Sequence, residues 1–144
     1  MPDDSPQPMA YQAPYPLAMI ICEGIWHDPS SSKTTLLGCL SVLYVREFPA
    51  THPLIAVHAA ITDGRGQIPI TLRLVDADEE DEPIFTSEEL IVDFQDPTME
   101  IEIDFEVQGC TFEKPGEYRF QLFAGNEILL ERRFGVNQIP EESQ

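Results

Sequence analysis

The chain has 144 residues, with 26 Asp and Glu against 8 Lys and Arg, for a formal net charge of −18 at pH 7. That length suits one domain. Such an acidic chain is repelled by nucleic acid and by anionic membrane surfaces, which excludes both as expected partners and leaves a basic protein as the expected charged one.

Residues 1–16 carry Pro2, Pro6, Pro8, Pro14 and Pro16 without any apolar period, so they are expected to form a disordered, proline-rich arm. Asp3 and Asp4 stand where a secretory leader needs basic residues. The apolar run from Leu17 to Cys22 is too short to cross a bilayer. Cys22, Cys39 and Cys110 are odd in number and lack CxxC spacing. The expectation is three reduced thiols in a cytoplasmic protein; one disulfide plus a free thiol is the alternative.

The folded unit is expected over residues 17–136. Leu17 to Trp26 is apolar nearly throughout, as a strand covered on both faces would be. His27 to Ser32 contains Asp-Pro followed by serines, which is turn chemistry. Thr34 to Arg46 reads as a second strand, rich in β-branched and aromatic residues, and Phe48 to Pro53 as a loop. Leu54 to Thr62 is a third strand, with Ile55, Val57, Ala59 and Ile61 on one face and His58 between Ala56 and Ala60 on the other. Asp63-Gly64-Arg65-Gly66 turns the chain, glycine supplying the positive φ that tight hairpins need.

Ile68 to Val75 alternates, with Pro69 marking an edge or an irregular start. Asp76 to Pro83 is an acidic loop, and Ile84 to Phe94 is one bent strand or two short ones. Met99, Ile101, Ile103, Phe105 and Val107 alternate without error with Glu100, Glu102, Asp104 and Glu106, so one face is buried and the other solvated. After a corner at Gly109 to Gly116, Tyr118, Phe120 and Leu122 point inward. A turn at Ala124-Gly125-Asn126 leads to Glu127 to Val136, and residues 137–144 read as a disordered tail. Charge pairing in this last hairpin favours Phe123 opposite Glu127, Arg119 opposite Glu131 and Glu117 opposite Arg133, because opposed unlike charges contribute about 0.2–1 kcal/mol. No helical stripe appears. About 7–8 antiparallel strands with regular turns mean an all-β sandwich or barrel. Tyrosine following Pro115-Gly116-Glu117 resembles the tyrosine corner of immunoglobulin-like β-sandwiches.

Cys22-Glu23-Gly24, the Asp28-Pro29 turn, Leu36-Leu37-Gly38, Phe48-Pro49, Thr62 to Gly66, Leu72 to Asp76 and Pro115 to Leu122 together resemble a family of uncharacterised bacterial proteins known only as a domain of unknown function. The resemblance spans about residues 19–136. It implies a small β-sandwich and carries over no catalytic residue and no cofactor.

Between Arg73 and Lys114 there is no Lys, Arg or His, while fifteen residues are acidic. A solvated face explains this simply. Carboxylates two apart on a strand lie about 7 Å from each other and repel by only about 0.6 kcal/mol in water. Two functional readings stand beside it. Asp76, Asp78, Glu80 and Asp81 could gather around Ca²⁺ at one end of the sandwich. Alternatively, Glu100, Glu102, Asp104 and Glu106 could dock a basic protein. His27, His52 and His58 lack zinc-motif spacing, and the Ser30-x-x-Lys33 pair lacks the helix start that its chemistry requires. The expectation is therefore a non-enzymatic binding or assembly domain, with the calcium module second and a hydrolase third. The hydrolase needs a histidine beside a nucleophile.

Overall fold

The computed structural model describes residues 11–140. These form β1 (Tyr15–Cys22), β2 (Gly24–His27), β3 (Thr34–Leu37), β4 (Val42–Val45), β5 (Ala50–Thr62), β6 (Gly66–Asp76), β7 (Phe85–Thr86), β8 (Leu90–Phe94), β9 (Ile101–Phe112), β10 (Gly116–Ala124) and β11 (Glu127–Gln138). One sheet runs β1-β5-β9 and the other β4-β11-β10-β6-β7, with β8 also on β6; β2 and β3 form a separate hairpin. The architecture is an all-β, immunoglobulin-like sandwich.

Alternation decides the packing. Ile103, Phe105 and Val107 of β9 are buried against Ile55, Val57, Ala59 and Ile61 of β5 and Ile68, Ile70, Leu72 and Leu74 of β6. Each such side chain gives roughly 1.5–3 kcal/mol when taken from water. Phe112, Phe120 and Phe134 fill the far end with no exposure. Tyr118 makes the expected corner: its hydroxyl donates to Lys114 O at 2.5 Å, and its ring meets Phe112 edge-on at 4.9 Å. Burial pushes the phenol pKa up.

Several sequence expectations are corrected. Among the described residues there are eleven strands rather than 7–8, and β4 runs parallel to β11. The expected strand from Leu17 to Trp26 breaks at Glu23, and that from Thr34 to Arg46 breaks at Gly38, whose φ is 65°. The chain between β3 and β4 leaves the hairpin for the other sheet, which one continuous strand could not do. The expected loop from Phe48 to Pro53 is largely the start of β5, where Ala50, Thr51 and His52 already pair with Phe112, Thr111 and Cys110.

At the turn from Asp63 to Gly66, the positive φ values belong to Asp63 and Gly66. Gly64 is small for a different reason: a Cβ there would come within 2.6 Å of the Phe94 ring. The expected arm, 1–16, and tail, 137–144, both include ordered residues: β1 begins at Tyr15 and β11 runs to Gln138. Pro14 is buried, Gln12 bridges Arg65, and Ile139 N–H donates to Val45 O at 2.7 Å. Pro2, Pro6 and Pro8 of the arm, and residues 141–144 of the tail, lie outside the described residues.

The last hairpin takes the other register. Arg119 faces Arg133, Gln121 faces Glu131 and Ala124 faces Glu127, with an irregularity between Leu122 and Phe123. The unlike charges still meet, diagonally for Arg119–Glu131 and Arg133–Glu117 and along one strand for Arg119–Glu117. Arg119 reaches Glu131 at 3.4 Å and Glu117 at 3.0 Å, while Arg133 reaches Glu117 at 3.7 Å. Diagonal neighbours on one face lie within reach of long side chains, so charge pairing does not discriminate these registers.

Candidate functional site

The outer face of the three-stranded sheet is not simply solvated. Ala56, His58 and Ala60 of β5 point away from the core, yet all three are buried. The β2–β3 hairpin lies over them, and the small alanines permit its close approach. A cleft of about 520 Å³ remains beneath it, lined by Lys33, Leu36, His58, Ala60, Glu100 and Glu102.

At the centre stands Asp104 of β9, with its side chain 27% exposed. It accepts from His27 Nε2 at 2.5 Å through Oδ2 and from His58 Nδ1 at 2.7 Å through Oδ1. His27 Nδ1 in turn lies 3.2 Å from Thr34 Oγ1, and His58 Nε2 lies 3.5 Å from Glu102 Oε1. Thus β2 is tied through Asp104 to β5 and β9. Chemically, the arrangement is a hydrogen-bonded clasp. The acid–imidazole–hydroxyl order Asp104–His27–Thr34 sits on an exposed hairpin: the His27 side chain is 57% exposed. His52 is not part of it, since it pairs with Cys110 at the other end of β5.

Of the acidic face expected along β9, Glu100, Glu102 and Glu106 remain exposed, while Asp104 is engaged by two histidines. The clasp is not visible in the sequence because His27 falls at an expected turn. The available signal is Ala56–His58–Ala60, a small-polar-small stripe behind a fully apolar face, which marks a surface covered closely by something else.

Among the described residues β9 is an edge strand, and β7 and β8 form the edge of the opposite sheet. Between them lies a cleft of about 330 Å³, lined by Phe85, Ser87, Glu88 and Leu90 on one side and Asp104 and Glu106 on the other. The acidic loop follows the end of β6. Its four predicted ligands do not converge on one point. Asp76 is buried; it accepts from Asp78 N–H at 2.9 Å and lies 3.4 Å from Lys114 Nζ, whose pKa it raises. Glu80 meets Arg119 at 3.3 Å. Asp78, Glu80 and Asp81 line a concavity of about 280 Å³. Among the described residues no three His, Cys, Asp or Glu side chains are grouped to hold a metal ion.

The strand order and the tyrosine corner make this chain an immunoglobulin-like β-sandwich with an acidic edge. It belongs to the family described as "Family of unknown function (DUF6941)", whose profile matches residues 17–137. Among solved structures it is similar to an immunoglobulin-like protein from Pseudomonas aeruginosa, at 15% identity and a TM-score of 0.44, over 87% of this chain and 97% of the other. No curated protein matches the chain.

Proposed function

We propose that this is a non-enzymatic, cytoplasmic binding or assembly domain that presents its acidic edge to a basic protein. The supporting observation is the mapping of the base-free run. The fifteen acids between Arg73 and Lys114 fall mainly on the loop after β6, around β7–β8 and along β9. The β7–β8 segment and β9 line the cleft where the two sheet edges meet, with Phe85 and Leu90 as its apolar wall, while the loop's acids line a separate concavity. An acidic rim over an apolar wall suits a basic segment with some apolar character.

The double charge reversal Glu88→Lys/Glu106→Lys tests this. A partner captured at about 50 mM salt is expected to be released by about 300 mM, because exposed charges are screened over about 8 Å near physiological strength. Capture is expected to be lost in the variant at every salt concentration. Binding that survives both changes, or no partner at low salt, removes the reading.

A calcium-dependent module is the second reading, favoured by the five consecutive acids, residues 78–82, around one concavity. Its test is a thermal melt with and without millimolar Ca²⁺. Ligand at about 100 times Kd adds roughly 2.7 kcal/mol. Since Asp76 and Glu80 already sit against Lys114 and Arg119, the expected outcome is an unchanged melting temperature. A rise of several degrees would favour calcium instead.

A further inference from the structure

We propose that Cys22 and Cys39 are a cross-strand thiol pair that closes to a disulfide when a small-molecule disulfide such as oxidised glutathione is present, stapling the end of β1 to the segment that leads into β4.

The backbone carries the argument. Leu40 N–H donates to Ile21 O at 3.0 Å, and Glu23 N–H is shared between Leu37 O at 2.9 Å and Gly38 O at 3.1 Å. The first and last of these bonds bracket residues 22 and 39 on either side, which is the pattern around a non-hydrogen-bonded position of an antiparallel pair. The numbering of the hairpin pairs, Gly24 with Leu37 and Ile25 with Leu36, extrapolates to residues 22 and 39, although the ladder itself ends at Gly24 and Gly38, with φ 65°, turns the chain before Cys39. At non-hydrogen-bonded positions opposed Cα atoms lie about 4.5 Å apart and the side chains are close. That separation falls within the window of roughly 4.4–6.8 Å found for disulfides.

Both sulfurs are free thiols here, Cys22 buried and Cys39 exposed. Burial is the main cause that raises the Cys22 pKa. Cys110 stands apart on the core side of β9, its thiol pushed up to about 11 by burial.

The chemistry divides accordingly. The exposed Cys39 thiolate attacks one sulfur of oxidised glutathione, forming a mixed disulfide and releasing one glutathione thiolate, which takes up a proton. Cys22, losing its proton, then attacks the Cys39 sulfur and displaces the second glutathione. Two protein thiols are oxidised, and one small-molecule disulfide is reduced to two thiols.

The full chain treated with millimolar oxidised glutathione is expected to lose two hydrogens in mass. Its free thiols should fall from three to one, and one peptide should link residues 22 and 39. The closed loop is expected to raise the melting temperature by about 10 °C. Cys39→Ser, at an exposed position, abolishes all of these changes, and Cys110→Ser abolishes none. A product that stays glutathionylated at Cys39, an unchanged mass, or a disulfide that includes Cys110 would overturn the proposal.

Discussion

Phe134→Ala is expected to destabilise the domain by about 3–5 kcal/mol, the range for removing a fully buried aromatic side chain. Phe134 has no exposed surface. It faces Tyr118 across the β10–β11 ladder, with its ring 5.4 Å from Phe120 and 6.2 Å from Phe112. The substitution therefore leaves a cavity and also removes an edge-on aromatic contact, itself worth about 0.5–1.5 kcal/mol beyond area. Against a total stability of roughly 5–15 kcal/mol, that loss takes much of the margin. Urea titration should show a large fall in the midpoint with little change in slope. The comparison is Trp26→Ala. Trp26 is the one tryptophan of the chain but is 52% exposed on the hairpin, so its removal should cost less than about 1 kcal/mol. Equal losses for the two would mean that the core is not organised around Phe134.

That contrast separates what residue order reveals from what it hides. Period-two alternation makes β9 legible, because burying one face gives several kcal/mol and a one-residue slip would expose all of it. The tyrosine corner is legible because a Pro-Gly bend fixes where the next strand must begin. The breaks at Glu23 and Gly38 are not. Both lie in runs with strong strand propensity, and what breaks them is a tertiary need to move between sheets. The hairpin register is not legible from charge, because long Arg and Glu side chains form ion pairs equally well diagonally or directly across. The site follows the same division. The acidity of the edge is composition and is visible at once. The clasp joins residue 27 to residues 58 and 104, and only the fold of the hairpin across β5 brings them together.

Asp104→Ala is expected to lower stability by about 1–3 kcal/mol, the cost of leaving partly buried hydrogen-bonding groups without their partner. His58 is the group most affected. It is buried between Ala56 and Ala60 and would retain only the longer contact to Glu102, at 3.5 Å. His27, on the exposed hairpin, can turn to water. The loss should therefore be local in character. Amide exchange should speed up across the β2–β3 ladder while the β5–β9 ladder stays protected.

Glu106→Ala supplies the control, two residues along the same face of the same strand. Its carboxylate accepts from Gln108 Nε2 at 3.1 Å, an exposed contact, so its removal should change stability by less than about 0.5 kcal/mol. A double-mutant cycle between Asp104→Ala and His27→Ala, the contact that reaches the hairpin, should give a coupling of roughly 0.5–3 kcal/mol, as for residues in one network. Strictly additive effects would show that the two side chains touch without holding the hairpin, and the clasp would then have no structural role. With coupling, the four alternating carboxylates take different roles, since Asp104 fastens the hairpin while Glu100, Glu102 and Glu106 are left facing outward.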